Sequence, residues 1–139
     1  MKKITAIAAI LLASLAAAGS ASAQDHRTKA TIPFGFYIDN KWVPAGTYTL
    51  TSDQLNPDVI AIRSENSSVS VMNVGHTVDR RPGSNVLVFA KYGDKYFLHE
   101  ILSANSNMNV AFSPSKREKQ TRTEQASLTP ATEVYLALK

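Results

Sequence analysis

The sequence predicts an all-β protein: a single antiparallel β-sandwich or small β-barrel of about six to eight strands, with one short polar helix near its C-terminus. Three observations carry that expectation. Apolar and polar residues alternate in short runs from Ala30 to Leu102, the period of half-buried strands. Turn-forming pairs such as Asp39-Asn40 and Gly93-Asp94 punctuate the runs at regular spacing. One good helix-start signal, Ser115 with Glu118 at capping-box spacing, stands after the last long run.

Taken in order, Ala30 to Ile38 alternates cleanly, with Ala30, Ile32, Phe34, Phe36 and Ile38 on one face and Thr31, Pro33, Gly35 and Tyr37 on the other. Pro33 has no amide hydrogen, which places this strand at an edge or leaves it unpaired there. Asp39-Asn40 turns the chain into a short extended piece, Lys41 to Val43. Pro44-Ala45-Gly46 is a second turn, with Gly46 suited to a positive φ. Thr47 to Thr51 is extended, Ser52 to Asp58 is a loop broken at Asn56-Pro57, and Val59 to Arg63 is a strand. Ser64 to Ser68 turns the chain into a strand over Val69 to Val78, whose apolar phase shifts between Val71 and Met72 and so predicts a β-bulge there. After the loop Asp79 to Asn85, Val86 to Tyr92 and Lys95 to Leu102 form a hairpin closed at Gly93-Asp94. An Asn-rich stretch, Asn105 to Asn109, precedes a short strand at Val110 to Phe112. Pro114 suits a first helical position, so the helix is expected over about 114–125. Val134, Leu136 and Leu138 alternate as a closing strand.

The first 23 residues have a different character. Lys2 and Lys3 precede an uncharged run, Ile4 to Ala18, and Ala21-Ser22-Ala23 supplies small residues at a cleavage position. This is the three-part pattern of a secretory signal peptide, with Gln24 first after a cut at Ala23 and a cut after Ala21 as the alternative. The uncharged run is shorter than the ~20 residues of a membrane-spanning helix. The expected organisation is therefore a signal peptide at 1–23, a flexible leader at 24–29 and a single β-domain at 30–139. An outer-membrane barrel needs at least eight strands of ~10 residues, and most strands here are shorter.

The signal peptide also biases composition. It takes two of the 15 basic residues, so the formal charge of +4 falls to near neutral after cleavage. Such a balance, without a clustered basic face, argues against nucleic acid as a partner. With no cysteine, the chain has no disulfide, thiol nucleophile or cysteine-ligated metal. No cofactor is expected.

Ile32-Pro33-Phe34-Gly35-Phe36, Trp42-Val43-Pro44-Ala45-Gly46-Thr47-Tyr48, Tyr96-Phe97-Leu98 and Ser113-Pro114-Ser115-Lys116-Arg117-Glu118 together resemble a family of small exported bacterial β-rich proteins of unassigned function. The resemblance covers most of the chain after the signal. It implies export and a β fold, and it brings no catalytic or binding residues.

Few residues invite chemistry. His76 is in phase with Met72, Val74 and Val78, and His99 lies between Phe97 and Ile101. A metal site built on them needs a third ligand such as Asp79 or Glu100, yet strand neighbours such as His99 and Glu100 point to opposite faces. The two are expected to be ordinary sheet histidines, bonded to backbone or solvent, and His26 falls in the leader. There is no Gly-x-Ser-x-Gly elbow. Tyr37 and Trp42 form a candidate stacking surface for a sugar or a partner, against the expectation that Trp42 and Tyr48 fill the core rim and hold the Pro44–Gly46 turn. Arg80 and Arg81, and Lys116, Arg117, Lys119 and Arg122, are candidate contacts for an anionic partner, and a solvated charged face is the expected reading of both. The function expected is that of a non-catalytic envelope or extracellular interaction protein, in the periplasm or outside the cell, with an envelope protein or glycan as partner. A small-ligand or carbohydrate-binding module is the alternative, and a hydrolase ranks third.

Overall fold

The computed structural model describes residues 27–80, 83–104 and 108–138. The expected signal segment with Ala21, Ala23 and Gln24, His26, Arg81 and the stretch 105–107 lie outside the described residues.

The fold is mostly strand with one helix, and its curled sheets form a half-barrel, sandwich-like structure. One sheet holds β1 (Arg27–Ile32), β4 (Gly46–Ser52), β5 (Val59–Ser64) and β6 (Ser70–Val74), antiparallel in the order β1-β4-β5-β6. The second runs β11 (Thr132–Ala137), β8 (Val86–Tyr92), β9 (Lys95–Leu102), β10 (Val110–Ala111) and β7 (His76–Thr77). A hairpin of β2 (Phe36–Ile38) and β3 (Lys41–Val43) joins the start of β9, with Tyr37 opposite Phe97 in parallel.

The expected strand from Ala30 to Ile38 is two strands in different sheets. The chain leaves the first sheet after Ile32 and enters the second at Phe36, and Pro33 stands in the gap. β1 is an edge strand, and Pro33, with no amide to donate, lies just beyond its end. β1 also takes in Arg27, Thr28 and Lys29, which face Thr51, Leu50 and Thr49 of β4, so half of the expected leader is sheet.

The strand expected over Val69 to Val78 likewise divides. β6 pairs with β5 without a register shift, so no bulge stands at Val71/Met72. The apolar phase shifts because both faces of β6 are apolar: Val71 is buried, while Met72 and Val74 are 70% and 64% exposed. The chain then crosses to the other sheet at Gly75. A Cβ there would lie 2.3 Å from Val110 Cγ1 and 2.5 Å from the Ala111 carbonyl oxygen, so only glycine fits.

The core between the sheets is built on aromatic rings in edge contact. Phe36 meets Tyr48 at 5.9 Å and Phe89 at 5.4 Å between centroids, at 89° and 81°. Each such pair contributes about 0.5–1.5 kcal/mol beyond area burial. The Tyr48 hydroxyl donates to the Pro44 carbonyl oxygen at 2.6 Å and holds that turn, and burial raises its pKa. Trp42, expected beside it on the core rim, is instead 59% exposed. Its ring covers Gly35, where a Cβ would stand 2.8 Å from Trp42 Cζ2. The positive φ expected at Gly46 is found at Asp39 (53°) and Gly93 (63°), each opening a two-residue hairpin turn.

The helix, α1, runs Lys116–Gln125, so Pro114 precedes the cap rather than opening the first turn. Ser115 is the N-cap, and its hydroxyl oxygen accepts from the Glu118 amide at 3.1 Å. α1 lies on the outer face of the second sheet, over a small cluster of Ala90, Tyr92 and Phe97 with Tyr37 packed against it.

Candidate functional site

α1 has the sequence KREKQTRTEQ and no apolar residue to bury. Hydrophobic packing therefore cannot dock it as it docks most helices. The residues it does bury are Glu118 and Thr121, one turn apart on the same side. In a capping box the Glu118 carboxylate would return to the cap residue's amide. Here its Oε1 turns to the sheet, where it accepts from the Tyr92 hydroxyl at 3.0 Å and is in hydrogen-bond contact with His99 Nε2. The Glu118 side chain is 5% exposed and that of His99 27%. Burial first, then the nearby Glu118 carboxylate, raises the Tyr92 pKa.

A fault in the β8–β9 ladder brings His99 into this contact. Glu100 faces Val88 and Leu98 faces Phe89, which leaves His99 as one extra residue between them. This is a β-bulge, in β9 of the second sheet rather than at Val71/Met72 in β6, where the sequence placed one. Glu100 faces Val88, which is in phase with Ala90 and Tyr92 on the helix side, and His99 reaches the helix itself. Both neighbours thus lean outward, and the rule that they must face opposite ways does not hold at the bulge. They still do not share an ion, because Glu100 accepts from Arg80 at 3.1 Å. Among the described residues no group of three or more His, Asp or Glu side chains could hold a metal.

The other candidates fall as follows. His76 is exposed on β7, opposite Ala111. Arg80 is bound to Glu100, and hydrogen bonding to Tyr135, then the Glu100 charge, raises its pKa further. Tyr37 is half-buried rather than exposed. It stacks on Phe97 at 5.0 Å and lies under the Arg117 guanidinium at 5.2 Å. Trp42 pairs with Tyr37 across the hairpin and so shares its face.

Among the described residues one hollow, of about 420 Å³, lies beside α1 and is lined by Asn40, Lys95, Lys116, Arg117, Gln120, Thr121 and Glu124. Another, of about 240 Å³, lies on the outer face of the first sheet around Thr51, Ala61 and Met72. His99, Tyr92 and Glu118 line neither. Among the described residues no hydroxyl or thiol is hydrogen-bonded to the His99 imidazole, and the His99–Glu118 contact ties α1 to the sheet. Sequence reasoning missed it, although a helix with no apolar residue and a glutamate three past its cap was the available signal. Comparison with family models, with curated proteins and with solved structures found no match.

Proposed function

We propose that the chain is a non-catalytic exported protein of the envelope or cell exterior that works by interaction, taking an extended segment of a partner protein onto the β6 edge. The observation that carries this reading is the character of that edge. Natural sheet edges are blunted by charge, proline or shortness. β1, the opposite edge of the same sheet, has Arg27 and Lys29 and is followed at once by Pro33. β6 is Ser-Val-Met-Asn-Val, five residues with neither charge nor proline.

The register says which groups it offers. Ser64 bonds Val69 and Gly75 bonds Asp58, so alternation along β6 aims the backbone of Ser70, Met72 and Val74 away from β5. The Val74 amide is taken by the Asn73 side chain at 2.9 Å, which leaves Ser70 and Met72 to receive a strand. An added strand would also cover the exposed Met72 and Val74 side chains. The signal-peptide pattern of Met1–Ala23 and the resemblance to exported β-rich proteins support the compartment.

A photo-crosslinker at Met72, used in intact cells, tests the reading. The expected result is an adduct with one envelope protein that disappears when Ser70→Pro removes one of the two free edge amides. Adducts only between copies of the chain, or none with the protein free in the medium, overturn it. The exposed Trp42 ring favours the alternative of carbohydrate binding. Quenching of its fluorescence by a glycan is the result expected on that alternative.

A further inference from the structure

We propose that the segment received on β6 is a short antiparallel strand with a large apolar residue opposite Met72 and, two residues later, an acidic residue opposite Ser70. The inference rests on the strand-edge reading above and adds to it the chemistry of the partner.

The length and register of the segment follow from the backbone. β6 has five residues, and Ser70 and Met72 keep free edge amides while the Asn73 side chain closes the Val74 amide at 2.9 Å. One residue further on, the chain crosses to the other sheet at Gly75. The ladder thus has a stop at its Val74 end. Every pairing in this sheet is antiparallel. In that arrangement the residues opposite Ser70 and Met72 each exchange both backbone bonds with them. Those two positions fix the register, and their side chains fall on the solvent face beside Ser70 and Met72.

That face is charged at one end and apolar at the other. The β5–β6 register sets Arg63 against Ser70 and Ala61 against Met72. Arg63 is exposed, and its side chain makes no ion pair or hydrogen bond among the described residues. The acids of this sheet are already engaged. Glu65 meets Lys29 at 2.6 Å and accepts from the Thr49 hydroxyl at 3.3 Å. The Lys29 hydrogen bond, foremost, holds its carboxyl below the usual range. Asp53 accepts from the Leu55 and Asn56 amides, and Asp58 from the Thr77 hydroxyl. Arg63 is therefore a cation left without a counter-charge beside a free sheet edge.

A charge on the edge strand itself discourages pairing. Arg63 stands one strand further in, so it leaves the β6 backbone open. An added strand would lie two strand spacings, ~10 Å, from β5. Ser70, the residue between, is small, so a long cation and an acid leaning over it close that gap. A Lys or Arg at the same place would be set against Arg63 instead.

The apolar position is set by the hollow of about 240 Å³, lined by Thr51, Val59, Ala61 and Met72 with the start of the following loop. Ala61 is the short side chain between Thr51 and Met72, which leaves room above it. Met72 is 70% exposed, and its unbranched thioether adapts to what it meets. An apolar side chain arriving opposite Met72 packs against it and presses it into the hollow. Val74, 64% exposed, extends the apolar strip.

The test is a nuclear magnetic resonance titration of the full chain with the blocked synthetic peptide Thr-Val-Thr-Leu-Thr-Glu-Thr. Its Val, Leu and Glu fall opposite Val74, Met72 and Ser70. Three comparison peptides carry Lys for Glu, Ser for Leu, or the same residues in reverse order. The expected result is amide shifts at Ser70 and Met72, with the Lys peptide weaker by ~3-fold or more and the Ser peptide by about 10-fold. The reversed peptide should also bind more weakly. Arg63→Gln, an exposed change, should erase the difference between the Glu and Lys peptides, and high salt should narrow it. Equal binding of all four peptides at Ser70 and Met72 overturns the proposal and leaves the strand-edge reading standing. No shift at either amide with millimolar peptide overturns both. A preference for Glu that survives Arg63→Gln also overturns the proposal.

Discussion

Glu118 accepts a hydrogen bond from the Tyr92 hydroxyl at 3.0 Å, across the space between a helix and a sheet, and the same oxygen meets His99. One carboxylate oxygen therefore holds a ten-residue helix with no apolar side chain against the β8–β9 hairpin. Glu118→Ala leaves the buried Tyr92 hydroxyl and the imidazole without their acceptor, at about 1–3 kcal/mol. The helix should loosen before the sandwich does. Hydrogen exchange at the Lys119 amide, bonded to the Ser115 carbonyl at 3.0 Å, should speed up more than exchange at core strand amides. Equal acceleration everywhere would refute the tether.

The same contact has an alkaline signature. Burial, above all, raises the pKa values of Tyr48 and Tyr92 above the ordinary tyrosine value of 10.0. In the unfolded chain these phenols lose their protons first, so the folded state holds more protons above pH 10. Stability from the two groups is thus fully present below pH 10 and declines as pH rises through their folded pKa values. A spectroscopic titration of the five tyrosines should show two ionising late, and Tyr92→Phe should remove one of them.

Gly75→Ala should be among the most damaging small substitutions in the chain. The new methyl would meet the Ala111 carbonyl oxygen at 2.5 Å, and backbone cannot step aside as a side-chain tip can. A loss of about 1–3 kcal/mol or more is expected from overpacking. Gly83→Ala, with nothing within 4 Å, is the control and should leave the urea midpoint nearly unchanged.

Trp42 is the sole tryptophan and is 59% exposed, so native emission should already be close to that of the unfolded chain. Trp42→Ala is expected to shift stability by less than about 1 kcal/mol. A blue-shifted native spectrum would contradict the exposed ring.

Local rules explain what could be read in advance. The Gly93-Asp94 hairpin and the Ser115 cap were legible because each is settled within a few residues of chain. Pro33 was legible as a defect, but not as the place where the chain changes sheets, since alternation continues unbroken through Phe34 and Phe36. The His99–Glu118 contact was hidden for two reasons. Its partners are 19 residues apart, and it needs an extra residue in β9 that no periodicity announces. Val71/Met72 mimicked that signal because β6 is apolar on both sides.

The order of strands has a mechanical consequence. The chain visits one sheet with β1, the other with the β2–β3 hairpin, returns for β4 to β6, and leaves again at Gly75. Neither sheet is a continuous stretch of polypeptide. A protease cutting at Leu55, whose side chain is 97% exposed, would produce two pieces, each owning part of both sheets. Nicked protein would stay in one piece until denatured, since separation would demand unzipping the β4–β5 ladder and splitting the shared core at once.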